Sequence, residues 1–257
     1  MRLVDRLSAE TAAFHPDADE DVRALLGDSA SAADYRRFLI RTYGFTCPVE
    51  RAIASVPGIE RYFDPRRLRK HELLRRDLTS FQMTTEQIDG ISQCPVPMVD
   101  TPQEALGWAY PIERAALRHT QLFHHLAAIM PGEVAFTSSY LKCYFGSVGE
   151  AWKSFGRALD EIGDRPQSSR RVIEAARAAY RYFRSWRLLA DELPPHAPHA
   201  PHAPHAQAPA LHVPAPSHSH SHSRSHSHSQ PPLSQAAQQQ QQQQQRQISG
   251  APPRRAS

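Results

Sequence analysis

The chain has 257 residues, room for one sizeable domain and something further, with 30 lysines and arginines against 26 aspartates and glutamates. The excess of +4 sits entirely after residue 193, where Arg224, Arg246, Arg254 and Arg255 stand without a single acidic residue or lysine, so the part before it carries 26 charges of each sign. That balance gives the front part no basic footprint for nucleic acid. No apolar run approaches the ~20 residues of a membrane helix, and Arg2, Asp5, Arg6 and Glu10 interrupt any signal-peptide core. Cys47, Cys94 and Cys143 are widely spaced and form no C-x-x-C pair, which predicts free thiols in a reducing, cytoplasmic setting.

Taken in order, the elements of the front part are helical. A first helix is expected over residues 2–14, with Leu3, Leu7 and Thr11 at helical spacing, and a break or bend near His15, since the residue before a proline is pushed out of helical geometry. A short segment over 21–26 stops at Gly27. Ser31, placed before an acidic turn, caps a long helix through about Ile53, with Tyr35, Phe38, Leu39, Thr42 and Val49 on its buried face and Pro48 expected to bend it. A further helix is expected over 65–78. Residues 94–102 hold three prolines and read as a loop. From Glu104 a helix runs to about Met130, kinked or interrupted at Pro111, and Pro131-Gly132 ends it. Another is expected over 138–162, with Gly146 and Gly149 as weak points, and a last over 168–193. No segment alternates convincingly as a strand, so the fold class is an all-α helical bundle over residues 1–193.

Residues 194–257 differ in kind. They hold ten of the 15 histidines and 12 of the 22 prolines, four Pro-His-Ala triplets from Pro195 to Ala206, a Ser-His alternation from Ser217 to Ser229 and eight glutamines from Gln238 to Gln245. Such composition cannot offset the entropy of ordering its own backbone and predicts a disordered tail. Its imidazoles suit nickel, copper or zinc.

Four pieces of the front part, in this order, resemble the bacterial haem oxygenases, including those that supply biliverdin to bacterial phytochromes. They are Thr11-Ala-Ala-Phe-His15; Tyr35-Arg-Arg-Phe-Leu39 with Val49-Glu50; Leu73-Leu-Arg-Arg-Asp-Leu78; and Gly107-Trp-Ala-Tyr-Pro-Ile-Glu113, followed by Trp152 and Phe155. The resemblance implies a haem oxygenase-like bundle with His15 as the proximal iron ligand and Asp19 as its acidic partner. Tyr110, Arg118 and His119 would lie about the haem, which is both substrate and prosthetic group. Dioxygen, and electrons from a ferredoxin or reductase, would complete a cleavage to biliverdin, carbon monoxide and ferrous iron. A bacterial phytochrome would be a recipient of the product. Lys142 and Lys153 are candidates for the propionates, as charge-assisted partners of carboxylates.

One segment departs from the family. Where haem oxygenases read G-x-x-L-G-G, this chain reads Arg114-Ala-Ala-Leu117-Arg118-His119. Glycines there let a kinked helix lie on the haem face, which a residue with a Cβ does not permit. Arg118 and His119 should therefore push the helix outward or occupy the cavity themselves. Two readings follow: a haem oxygenase, or a non-catalytic relative that binds haem, another tetrapyrrole or a protein partner. His119, His124 and His125 are spaced i, i+5, i+6, which is not a metal-ligand spacing. Glu50, Asp77 and Glu113 lack the Glu-x-x-His pairs of a di-iron bundle.

Overall fold

The computed structural model describes residues 1–192, the last four by backbone alone; the tail expected from residue 194, with its histidines, lies outside the described residues. Among the described residues the chain forms α1 (Leu3–Thr11), α2 (His15–Ala18), α3 (Glu20–Leu25), α4 (Ala32–Ala54), α5 (Lys70–Ser80), α6 (Thr85–Asp89), α7 (Pro102–Ala115), α8 (His119–Ile129), α9 (Pro131–Val134), α10 (Val148–Ile162) and α11 (Pro166–Glu192), with no strand. No described helix is long and apolar enough to cross a membrane.

The helix starts are written in short polar motifs. Ser31 closes a capping box with Asp34 at the head of α4, and Thr101 closes one with Glu104 at the head of α7, each satisfying two backbone donors that the first turn leaves free. Pro102 occupies the first position of α7, where its missing N–H is no loss. Pro16 likewise falls in the first turn of α2, so the expected bend is a 3₁₀ turn over Ala12–Phe14, just before His15. Pro48 lies inside an α4 that runs unbroken to Ala54. Its ring leaves the Gly44 carbonyl without an intrahelical donor, and the Cys94 N–H from the 92–101 loop supplies one at 2.8 Å.

Three expectations need correction. The segment expected over 65–78 is a 3₁₀ turn, Pro65–Arg67, followed by α5, because the Glu50 carboxylate accepts from the Lys70 and His71 backbone N–H groups at 3.1 and 3.0 Å and sets the helix start there. The helix expected from residue 138 begins only at Val148. Asp77 holds the Ser139 and Tyr140 N–H groups at 2.8 Å each, and Gly146 turns the chain at a φ of 78°. Finally, Pro111 does not interrupt α7, which stays helical to Ala115; the break is the 3₁₀ turn Ala116–Arg118 that separates α7 from α8.

Two apolar clusters fill the bundle. One joins α1, the later half of α4, α7, α10 and α11 through residues such as Leu7, Val49, Ala105, Phe155 and Val172. The other joins α3, the earlier half of α4, α5, α6 and α8 through Leu25, Tyr35, Leu39, Leu78 and Leu122. The most extensive helix contact is α7 against α11. Gly107 makes it possible: a Cβ there would stand 2.5 Å from both the Ala175 Cβ and the Val172 carbonyl oxygen.

Gly107→Ala is therefore expected to destabilise. The gain in helix propensity of about 1 kcal/mol is outweighed by overpacking of about 1–3 kcal/mol against backbone that cannot give way. Equilibrium urea denaturation reads the balance, and a raised midpoint would show that α11 can move aside.

Candidate functional site

The two clusters meet along a seam between α2–α3 and the α7–α8 break. Val22, Phe38 and Tyr140 face it from one side, Phe45, Ile112 and Tyr180 from the other, around a cavity of about 60 Å³. Its polar wall is built from Thr46 of α4 and from Asp19, Arg114, Arg118 and His119. Arg114 grips Asp19 with both guanidinium arms, at 2.9 and 3.0 Å, and Arg118 stands 3.7 Å from the same carboxylate. This fork-to-carboxylate geometry is the strong form of an ion pair, and here it ties α7 to the turn between α2 and α3.

His119 opens α8 and is 2 % exposed. Its Nδ1 lies 3.5 Å from the Cys143 Sγ, its ring rests on Tyr140 with centroids 4.5 Å apart, and its Nε2 has no hydrogen-bond partner. Burial, helped by the nearby Lys70 charge, pushes the imidazole down to about 3, so the ring is neutral. Burial also pushes the Cys143 thiol up to about 11, so the sulfur keeps its proton.

Beneath His119 lies a buried ionic cluster. Glu113 accepts from Lys70 Nζ at 2.8 Å, Arg67 Nη2 at 2.7 Å and the Tyr144 hydroxyl at 3.0 Å. Burial opposes its charge, but the two cations outweigh that and hold the carboxyl below its ordinary range. Lys70 is held above its own, burial again being overcome by Glu113. Glu50 is taken up by the start of α5 and by His71 Nδ1 at 2.6 Å, and Asp77 by the 139–140 turn. These three carboxylates of the family-like segments therefore serve as separate anchors, and no group of three or more possible metal ligands occurs among the described residues.

The sequence-predicted residues are scattered more widely than expected. Arg118, His119 and Asp19 come together on the cavity wall, but Asp19 is the partner of Arg114 rather than of His15. His15 does not line the cavity: its Nε2 lies 3.1 Å from the Thr11 hydroxyl and its ring leans on Tyr180. Burial and the Arg114 charge lower its affinity for a proton against the pull of Asp19. Tyr110 is buried between Trp152 and Tyr180, one layer behind the cavity. Lys142 sits over the Phe123 ring at 4.4 Å, and Lys153 pairs with Glu150 on an exposed face, each drawn to a neighbour closer than the cavity. His125 Nε2 meets the Gly27 carbonyl oxygen at 3.4 Å, and His124 stacks beside Phe123 and Phe145. Sequence reading missed Thr46, Tyr180 and Phe183, whose side chains reach the seam from α4 and α11. Only the helical phase that places Thr46 one turn beyond Thr42 hinted at this. A larger, open cleft of about 380 Å³ at the N-terminus, bounded by Arg2, Arg6 and Asp160, contains none of these groups.

An all-helical bundle with a histidine-bearing first segment packed under a broken helix defines the haem oxygenase-like class. The chain matches the sequence model of the heme oxygenase family over residues 1–188 and belongs to that family. It is similar in fold to the heme oxygenase from Neisseria meningitidis, described in crystal structures of its NO- and CO-bound forms. The two share 19 % identity at a TM-score of 0.61, over 77 % of this chain and 96 % of that one. No curated protein sequence matches. Family and fold together support haem oxygenase-like function in general terms.

The residues present do not fit a haem. Pockets for ligands of drug size run to about 300–1,000 Å³, whereas this cavity is about 60 Å³ and is crossed by the Arg114–Asp19 pair. Arg114, Arg118 and His119 all stand on the cavity wall.

His119 generates a pH signature. A histidine at ~6.5 when unfolded and about 3 when folded binds a proton more readily in the unfolded chain. Its contribution is fully present above pH ~6.5 and is lost as the pH falls from there toward 3, at ~1.4 kcal/mol per pH unit. His119→Leu should remove that slope from the acid limb of the stability curve. Parallel acid limbs in the two proteins would show that His119 is protonated in the fold.

Proposed function

We propose that this protein is a member of the haem oxygenase family that does not cleave haem. The observation that carries the proposal is the two-armed Arg114–Asp19 ion pair across the seam. It joins the elements between which a macrocycle would have to lie, while Arg118 and His119 occupy the remaining wall. Opening the seam would separate a partly buried carboxylate from its guanidinium and leave both without compensation. The fold is retained, and with it a site of smaller capacity.

A second reading is favoured by His15, which stands where the T-x-x-x-H segment places it and whose lowered proton affinity leaves a ring nitrogen free to act as a ligand. On that reading the protein degrades haem in the cytoplasm to biliverdin, carbon monoxide and ferrous iron, drawing dioxygen and ferredoxin- or reductase-borne electrons and passing biliverdin to a phytochrome.

Haemin titration of the full-length protein separates the two when variants are compared, since the tail histidines are common to all. The wild type is expected to show no His15-dependent Soret band and to release no biliverdin with ascorbate or a reductase. The triple variant Arg114→Gly, Arg118→Gly, His119→Gly is expected to gain a Soret band that His15→Ala removes, at a helix cost of about 1 kcal/mol per glycine. A near-stoichiometric, His15-dependent band with biliverdin release in the wild type would overturn the proposal in favour of the second reading.

A further inference from the structure

Among the described residues, six buried side-chain nitrogen or oxygen atoms have no hydrogen-bond partner, and four belong to residues that line the seam cavity: Thr46 Oγ1, Arg118 Nε, His119 Nε2 and the Tyr180 hydroxyl. Buried polar atoms are nearly always paired, so each exception calls for an explanation. Four at one cavity, on four elements of the chain, have a common one: a polar occupant. Tyr180 has the Arg114 charge beside it, so the argument rests on the other three.

All three can present a proton. Arg118 turns one terminal nitrogen toward Asp19, which leaves its Nε–H uncommitted. Cys143 keeps its thiol proton and lies on the Nδ1 side of His119, so the S–H can donate to Nδ1 and leave the ring proton on Nε2. The Thr46 hydroxyl rotates freely to donate. Charge points the same way. Arg114 and Arg118 bring two positive charges to the wall and Asp19 one negative, and His119 is neutral, so one positive charge is left over. The remaining lining is mainly apolar, with Val22, Phe38, Phe45, Ile112 and Phe183, and Thr42 commits its hydroxyl to the Phe38 carbonyl; such walls strengthen that field. The volume, about 60 Å³, is several times the ~10–15 Å³ that admits one water on the same measure, room for a compact ion of about three or four heavy atoms.

We propose that the seam cavity binds one small, planar, singly charged oxyanion, of the formate, nitrite, nitrate or bicarbonate kind, held by Arg118 Nε, His119 Nε2 and the Thr46 hydroxyl. A planar oxyanion matches the edge of a guanidinium and accepts from several directions at once. The ion neutralises the surplus charge and pairs the three open donors together. The assignment goes beyond the loss of haem cleavage: it says what the reduced site receives.

Isothermal titration of the haem-free, full-length protein with sodium formate, and separately with sodium nitrite, at constant ionic strength tests this. Saturable one-to-one binding is expected, with affinity reduced at least tenfold in Arg118→Gln and several-fold in Thr46→Val, which keeps the side-chain shape. Arg66→Ala, whose side chain pairs with Asp64 on an exposed face, should bind as the wild type does. Butyrate should bind no better than formate if the occupant is a free ion; tighter binding would mean that the site grips the carboxylate end of a longer molecule, which overturns the small-ion assignment. Absence of saturable binding for formate, nitrite, nitrate and bicarbonate alike, or equal affinity in the wild type and in a folded Thr46→Val, overturns the proposal and leaves the cavity to water. The two readings fail separately, because a His15-dependent Soret band bears on the sealed seam and not on an isotherm recorded without haem.

Discussion

Asp19 is the carboxylate on which the arrangement of the seam depends. It lies where two apolar clusters meet, 17 % exposed in its side chain, between two guanidinium groups that arrive from the far side of the bundle. A carboxylate there without a cation would be poorly solvated; with one it is balanced; with two it leaves positive charge behind. The closeness of α7 to the α2–α3 turn, the small volume between them and the sign of the field inside it follow from that count. Arg114 thus supplies the bond that closes α7 onto the α2–α3 turn.

The remaining acidic residues of the family-like segments support this arrangement from below. Glu50 sets the start of α5, Asp77 pins the turn that delivers Tyr140, and Glu113 gathers Lys70, Arg67 and Tyr144 beneath His119. Tyr140 packs against that histidine, and burial, aided by Lys70, keeps it neutral. Residues that a motif search would mark as chemical are here the anchors of the fold, and the reactive surface is left to arginine, histidine and threonine.

Where the chain was legible, the cause was local. Ser31 with Asp34 and Thr101 with Glu104 announce helix starts within four residues, and the apolar spacing of α4 and α11 declares their buried faces. That Arg118 and His119 would bring side chains to the seam was legible too, because a Cβ has volume wherever the helix lies. What could not be read was set at a distance. Nothing near Asp19 says that its partner is Arg114, nothing near Ser139 says that Asp77 will hold the chain out of a helix, and nothing near Pro111 says that the break comes five residues later. Lys142 and Lys153 each have a neighbour beside them, the Phe123 ring and Glu150, that a reading for the propionates did not weigh.

The clasp also has a bearing on how the seam tolerates substitution. Replacing Asp19 alone strands two facing cations, whereas replacing Arg114 alone leaves Asp19 one guanidinium at 3.7 Å, balanced in charge but without the two-armed bond. Positions 19, 114 and 118 are consequently coupled, and the effects of changing them are not expected to add. Loss of the carboxylate is the costliest single step away from this seam, because it alone leaves two like charges facing each other.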